Sequence, residues 1–171
     1  MGFDVYGLNP IIHKEKKCFK TLYKFDLLEE TEEAKENWAF KWNMLEKAHK
    51  RTKNAYWKQH GEFEAVNPGV YFRNNVWWWR PLWDYVCNNV EGMTDDDWSK
   101  GHMNDGHQIS EEKAKRIADY LDYAIRSGDV KDEEDRIKME NKDSKMPYPF
   151  AEENAREFAI FCHDSGGFKI C

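Results

Sequence analysis

Polar and apolar residues alternate with a period of two at three places in the chain. Residues 3–8 and 20–25 show this alternation in the first half, and residues 168–171 show it at the end. The pattern is typical of half-buried strands, because successive side chains of a strand point to opposite faces. We therefore expect a small sheet that includes strands from both ends of the chain.

Between these strands the apolar residues recur at helical spacing. No Gly or Pro occurs from Asp26 to His60. A 4-3-4-3-4 spacing links the residues Trp38, Trp42, Leu45, His49, Thr52 and Tyr56. This spacing predicts one long amphipathic helix over about 27–60.

Residues that typically begin or end helices indicate further elements. Pro81 suits the first position of a helix, where its missing N–H is not needed, so we expect a helix over 81–90. We expect an extended or turning stretch before this helix, which includes Trp77, Trp78 and Trp79. Residues 94–106 have the composition of a loop. Ser110 is a good N-cap for a helix to about Ser127, which Gly128 ends. Another helix ends before the two glycines at 166–167.

The sequence thus predicts an α+β fold, in which a small sheet formed by terminal strands packs with several helices and a long helix at about 27–60 projects. We expect a single domain over 1–171. Residues 27–66 are interpreted as a helical insertion, and residues 129–147, with twelve charges in 129–145, as a charged linker or a solvated helix.

The net charge of −6 is unevenly distributed. Residues 1–70 carry 12 basic and 11 acidic side chains, whereas residues 91–157 carry 11 basic and 19 acidic ones. Binding to extended nucleic acid is disfavoured, because it depends on many Lys and Arg contacts with phosphates. No apolar run reaches the roughly 18 residues that span a bilayer, and the N-terminal residues lack a secretory pattern, so we expect a cytoplasmic protein without a membrane partner.

The most unusual feature is an aromatic run at 71–83, which holds four of the eight tryptophans within seven positions. Indole faces stack on rings and cations, and arginines fork onto planar anions. The run is either part of the core or a surface that holds a ring or an anion. A second notable segment is the glycine-punctuated loop at 101–107. It is either a turn, an anion or ligand contact, or, with its two histidines and an aspartate, a metal or acid–base site.

From these two segments we derive one set of candidate ligand-binding residues: Arg73, Asn74, Asn75, Trp77, Trp78, Trp79, Arg80, His102, Asn104, Asp105 and His107. The familiar catalytic and nucleotide-binding motifs do not occur, so no catalytic residue, metal ligand or cofactor is assigned. The four cysteines are scattered without a C-x-x-C pair, which argues against a zinc ribbon or a disulfide framework.

Several blocks of the sequence resemble a family of small proteins of bacteriophages and prophages. They are Tyr71-Phe72-Arg73-Asn74-Asn75-Val76-Trp77-Trp78-Trp79-Arg80-Pro81-Leu82-Trp83, the start Met1-Gly2-Phe3-Asp4-Val5-Tyr6-Gly7, the loop Gly101-His102-Met103-Asn104-Asp105-Gly106 and the ending from Tyr148-Pro149-Phe150 through Gly166-Gly167-Phe168-Lys169-Ile170-Cys171. The segment at about 14–66 departs from this family, whose members pass almost directly from the first strand to the aromatic block. Some members also carry cysteine pairs in the region corresponding to 129–147, which are absent here.

The resemblance brings no settled activity, but it implies a phage setting. There we expect a non-enzymatic binding protein that sequesters a small nucleotide-like anion and so counters host defence. A second hypothesis is a protein–protein inhibitor that occupies a host protein. A third is an enzyme acting on a phosphorylated substrate through His102, Asp105 or His107. A homo-oligomer is compatible with each of them.

Overall fold

In a computed structural model that describes residues 2–144 and 148–171, both ends of the chain meet in one antiparallel sheet. Its strands are β1 (Gly2–Gly7), β2 (Tyr71–Asn75), β3 (His107–Ile109) and β4 (Phe168–Ile170), in the spatial order β2-β1-β4-β3. The helices in chain order are α1 (Lys20–Asp26), α2 (Glu32–Glu36), α3 (Phe40–Lys47), α4 (Lys50–Val66), α5 (Val76–Asn89), α6 (Asp95–Gly101), α7 (Glu111–Ser127), α8 (Asp129–Glu140) and α9 (Glu152–Asp164). The predicted α+β fold with a small sheet of terminal strands is confirmed.

The register of the sheet places one apolar face against the helices. Val5 lies opposite Phe72 on one side and Ile170 on the other, and all three are buried. Helix α7 contributes the stripe Ala114, Ile117, Ala118, Leu121 and Ala124. Its N-cap is Ser110, as predicted. Gly128 ends it with φ 95°, in the left-handed region that favours glycine.

The chain divides into two units. One holds the residues up to Ile11 together with Pro68–Cys171, and the other is Ile12–Asn67. The insertion predicted within a single domain covers 27–66, whereas the second unit of the structure begins earlier, at Ile12. Residues 129–140 form α8, whose Val130 is buried in the core of the first unit. Residues 145–147 of the predicted linker lie outside the described residues.

The prediction of one continuous helix over 27–60 is wrong. The segment holds a 3-10 turn (Leu27–Glu30), α2, α3 and the first part of α4. Polar side chains bond the local backbone at the breaks between these pieces. Thr31 Oγ1 accepts from Ala34 N at 3.3 Å, Asn37 Oδ1 from Ala39 N at 3.0 Å and His49 Nδ1 from Arg51 N at 3.2 Å. Such side chains compete with the helical ladder, and the apolar spacing does not reveal this competition.

The predicted strand at 20–25 is also wrong, because these residues form α1. The amide N–H groups of Thr21 and Leu22 donate to Gln59 Oε1 at 2.7 and 3.1 Å. Gln59 therefore caps the first turn of α1 from 37 and 38 residues away in sequence. The buried side chains Leu22 and Phe25 follow a spacing of three, which places both on one face of a helix.

Candidate functional site

The aromatic run is helical rather than extended. Helix α5 begins at Val76, so the prediction that Pro81 opens the helix is wrong. The reason is Asn75, whose Oδ1 accepts from Trp77 N at 3.0 Å and from Trp78 N at 3.2 Å. An asparagine N-cap satisfies N–H groups that otherwise lack partners, so the helix starts more than a turn before the proline.

Helical rotation then separates the three consecutive tryptophans. Trp79 is fully buried, and its Nε1 donates to the carbonyl of Gly101 at 2.8 Å. Its ring stacks on Trp83 with centroids 5.3 Å apart, and Trp83 in turn donates to the Asp97 carbonyl at 3.1 Å. Trp79 therefore belongs to the core, while Trp77 and Trp78 stay half-buried at the surface.

The other predicted residues of this segment have separate roles. Arg73 is exposed on β2, with Nε 3.5 Å from a carboxylate oxygen of Asp4. Asn74 is buried and donates to Asn154 Oδ1 at 2.8 Å. Arg80 is exposed on α5, and its Nη1 donates to the hydroxyl of Tyr148 at 3.2 Å. The ring of Tyr148 also packs against Trp77, with centroids 4.9 Å apart.

The predicted loop at 94–106 is largely helical. A capping box between Thr94 and Asp97 starts α6, and the acidic run at 95–97 complements the partial positive charge of the helix N-terminus. His107 begins strand β3 instead of ending a loop. Asn104 donates to the carbonyl of Gly2 at 2.8 Å, and Asp105 accepts from His107 N at 3.3 Å. Asp105 thus has the local bonding that the turn alternative predicts, whereas Asn104 bonds a residue 102 positions away.

His107 belongs to a buried network around Asp97. Its Nε2 lies 3.0 Å from Asp97 Oδ1, while Lys113 and Thr94 bond the other carboxylate oxygen. Burial alone raises the pKa of a carboxyl. Here the hydrogen bonds from Lys113, Thr94 and His107 outweigh burial and lower the pKa of Asp97 to about 2. Asp97 therefore ties α6, β3 and α7 together as a carboxylate that is ionised at neutral pH.

His102 is joined to α5 by a hydrogen bond with a second carboxylate, that of Asp84. Asp84 Oδ1 is 2.9 Å from His102 Nε2 and accepts from Trp98 Nε1 at 2.6 Å. These two hydrogen bonds, with the nearby charge of Arg80, overcome burial and hold the pKa of Asp84 below its ordinary value. Asp84, Arg80 and Tyr148 lie on one face of the molecule, so that face joins parts of both sequence segments.

On this face three adjoining cavities form a groove beside α5, α8 and α9, which we call the Trp78 groove. Cavities of about 460 and 270 Å³ share Trp78 and Ala151, and a cavity of about 380 Å³ shares Ile137 and Asn141 with the larger of these two. The lining residues are Asn74, Trp78, Pro81, Asp84, Tyr85, Asn88, Asn89, Glu133, Glu134, Arg136, Ile137, Lys138, Glu140, Asn141, Tyr148, Pro149, Phe150, Ala151, Glu153, Asn154 and Glu157.

The charges that line the Trp78 groove are mainly negative. Six carboxylates face two basic side chains, Arg136 and Lys138. Both bases are already paired, Arg136 with Glu133 and Glu140, and Lys138 with Glu134. The bonds to Lys138 and to the Glu152 amide lower the pKa of Glu134 to about 2. Over the described part of the chain, Glu153 and Glu157 make no ion pair or side-chain hydrogen bond, so their charges face the groove unneutralised.

Of the predicted residues, Asn74 and Trp78 line the groove, Trp77 and Arg80 border it through Tyr148, and His102 contacts the lining carboxylate Asp84. The remaining ones, Arg73, Asn75, Trp79, Asn104, Asp105 and His107, lie in the sheet, the core or local networks. The residues that α8 and α9 contribute to the groove are not among those predicted from the sequence. A detectable signal was the spacing of four between Glu153 and Glu157, which places both on one helix face.

Comparison with protein-family models, curated proteins and solved structures finds no match to this chain. The resemblance to phage proteins therefore stays a prediction. Among the described residues, no group of three or more His, Cys, Asp or Glu side chains is placed to hold a metal ion. Nor does any helix over residues 2–144 and 148–171 have the length and apolar character needed to cross a membrane.

Proposed function

We propose that this chain is a non-catalytic binding protein that holds a basic segment of a partner protein in the Trp78 groove. The observation that carries the proposal is the position of Trp78 between an apolar cavity and the carboxylates of Glu153 and Glu157. These two carboxylates are one turn apart on α9, and neither has a partner within the described residues.

The chemistry of this arrangement suits an arginine or lysine next to an apolar residue. A cation over an indole face is attracted by the ring, and an arginine fork also matches carboxylate oxygens. Beside it, the cavity lined by Ile137, Pro149 and Phe150 offers an apolar surface for a neighbouring side chain. Tryptophan and arginine are also the residues that most often dominate binding energy at protein interfaces.

The length of the groove favours a peptide over a small anion. Three cavities in a row accommodate an extended segment, whereas a nucleotide-like anion would meet six carboxylates and two paired bases. Desolvating a phosphate beside unneutralised carboxylates is costly. In the phage setting that the sequence resemblance implies, the partner is a host protein, and its capture inhibits a host defence complex. This corresponds to the second hypothesis from the sequence.

Isothermal titration of the full chain with two capped eight-residue peptides tests the proposal. One peptide alternates Leu and Arg, and the other alternates Leu and Glu. We expect binding of the Leu–Arg peptide only, with a loss of at least tenfold in Trp78→Ala and in the double variant Glu153→Gln/Glu157→Gln. Glu91→Gln is the matched control, because it removes an exposed charge that does not line the groove.

Two results would contradict the proposal. Equal losses of affinity in Glu91→Gln and in the double variant would mean that the peptide binds through non-specific electrostatic attraction. Tight binding of ADP-ribose or a cyclic dinucleotide, abolished by Arg80→Ala, would instead support the anion hypothesis. Circular dichroism of each variant separates loss of the site from loss of the fold.

A further inference from the structure

The unit formed by Ile12–Asn67 has a cavity of its own, of about 410 Å³. It lies where the end of α1 and the following 3-10 turn meet the corner between α3 and α4. Phe25, Leu28 and Met44 form its apolar part, and Lys24, Lys47 and His49 are its basic or titratable members. The cavity is separate from the Trp78 groove, whose lining residues all belong to the other unit.

The helix break between α3 and α4 creates this cavity. Ala48 and His49 have extended backbones, with ψ of 154° and 145°, so the chain turns away from the axis of α3. The ring of His49 is occupied in this turn, since its Nδ1 accepts from Arg51 N at 3.2 Å. The small side chain of Ala48 leaves the space open between α1 and α4.

The apolar part of the cavity is accessible. Met44 is 43% exposed, whereas Phe25 is buried. Burying such surface against a ligand is favourable in proportion to the apolar area that leaves water. The volume lies within the range of about 300–1,000 Å³ typical of small-molecule sites.

The charges at the cavity all have one sign. Its lining includes two lysines and no carboxylate. Lys16 and Lys41 of this unit bond Asp26, and Lys35 bonds Glu32. Lys24 and Lys47 make no ion pair or side-chain hydrogen bond within the described residues. An apolar cavity with two unneutralised ammonium groups is complementary to a ligand that has an apolar body and an anionic end.

We infer that this cavity binds the anion of a single-chain fatty acid, with its alkyl chain on Phe25, Leu28 and Met44 and its carboxylate between Lys24 and Lys47. An amphipathic helix fits less well, because its anchors at i and i+7 span about 10 Å and need a longer groove. A neutral amphiphile would leave both ammonium groups without a partner.

Titration calorimetry of the full chain with octanoate, decanoate and dodecanoate below their micellar concentrations tests this inference. Each pair of added methylenes is expected to tighten binding roughly tenfold, since one buried methylene corresponds to about a threefold to fourfold change. Octanol is expected to bind at least tenfold more weakly than octanoate. Lys24→Gln/Lys47→Gln is expected to remove that difference, and Met44→Asp to weaken all three acids.

Lys50→Gln is the matched control, because Lys50 is exposed in the same unit but does not line the cavity. Affinity that is independent of chain length, or equal losses in Lys50→Gln and the double lysine variant, would overturn the inference. So would binding of an acidic amphipathic peptide by a protein that ignores decanoate. Because the two cavities are in different units, Trp78→Ala is expected to leave decanoate binding unchanged whether or not the proposed function holds.

Discussion

Trp79 donates its indole N–H to the carbonyl of Gly101 at 2.8 Å, across 22 positions of sequence. This bond joins the aromatic run to the glycine-punctuated loop, the two segments that the sequence marks most clearly. It is buried on both sides, because Trp79 is fully buried and Gly101 packs against the indole of Trp83. The contact between the two segments is therefore structural, and it positions their exposed residues.

The close approach of Gly101 to the indole of Trp83 leads to a prediction about stability. A Cβ at this position would collide with the ring of Trp83, whose indole is buried and cannot move aside. We expect Gly101→Ala to lower the free energy of unfolding by about 1–3 kcal/mol, the usual cost of overpacking a core. Urea denaturation followed by tryptophan fluorescence measures it.

Gly61→Ala is the control for that measurement. Gly61 lies inside α4, and a Cβ added there would meet no other atom within 4 Å, so the same change should stabilise the protein by about 0.5–1 kcal/mol through helix propensity. Equal effects of the two substitutions would mean that Gly101 is not in contact with Trp83.

The contrast between neighbouring tryptophans gives a second prediction. Trp79→Ala should destabilise the chain by about 3–5 kcal/mol, because it empties a core site and leaves the Gly101 carbonyl without its donor. Trp78→Ala should cost about 1 kcal/mol or less, because Trp78 is only half-buried at the Trp78 groove. Thermal unfolding of both variants decides the order, and a reversal would place Trp78 rather than Trp79 in the core.

A structural feature could be predicted from the sequence when the contact that determines it lies within a few residues of it in the chain. The α+β class, the terminal strands and the caps at Ser110 and Gly128 follow from patterns within a few residues. The helix start at Asn75 was also local, since Asn is a strong N-cap, but the proline at position 81 drew the prediction to the wrong residue. The conformation of 20–25 was not local, because it depends on Gln59.

The candidate site was predicted in part for the same reason. Trp78 and Arg80 are conspicuous in the sequence and lie at the groove. Glu153 and Glu157 look like ordinary solvent-facing residues of α9, and only the packing of α9 beside α5 places them near Trp78. An anion site was expected from arginines and indoles, whereas the charges around them come from helices distant in sequence.

The cap of α5 gives a third prediction. Asn75→Ala removes the acceptor for two backbone N–H groups and should cost about 1 kcal/mol. Asn75→Asp keeps an acceptor at the same place and should retain most of the stability. Chemical denaturation of the two variants tests this, and an Asp variant as unstable as the Ala variant would argue against capping.

The network at Asp97 gives a prediction about pH. Its pKa of about 2 in the folded protein lies below the ordinary value near 3.9, so its contribution is complete above about pH 5 and is lost as pH falls toward 2. Asp97→Asn should therefore be less stable than the parent by about 2 kcal/mol at pH 7, and the difference should shrink between pH 4 and pH 2. Urea denaturation at several pH values measures this difference.

Asp95→Asn serves as its control, because Asp95 is exposed in the same helical turn. Its difference from the parent should stay within about 0.5 kcal/mol over that range. A difference for Asp97→Asn that is constant with pH would show that the carboxylate is not held by Lys113 and His107.

A final prediction concerns Lys41, which is 7% exposed in the other unit. Its Nζ lies 2.7 Å from Asp26 Oδ1 and 3.0 Å from Glu29 Oε1, and the hydrogen bonds from Lys16 and Lys41 outweigh burial to hold the pKa of Asp26 below its ordinary value. Removing one partner of a buried pair leaves a charge that solvent does not stabilise, but here Lys16 still pairs Asp26 at 2.8 Å.

Lys41→Met should therefore cost about 1–3 kcal/mol, less than a buried pair without a second cation. In the double variant Lys41→Met/Asp26→Asn the two losses should not add, because the substitutions remove the same interaction. The coupling between Lys41 and Asp26 should change little between 0.05 and 0.5 M salt, since buried pairs are weakly screened. The exposed Lys35–Glu32 pair is the control. Lys35→Met should cost about 0.5 kcal/mol or less, and this pair should weaken with salt. Additive losses at Lys41 and Asp26 would mean that packing against Trp42, rather than the ion pair, accounts for the burial of Lys41.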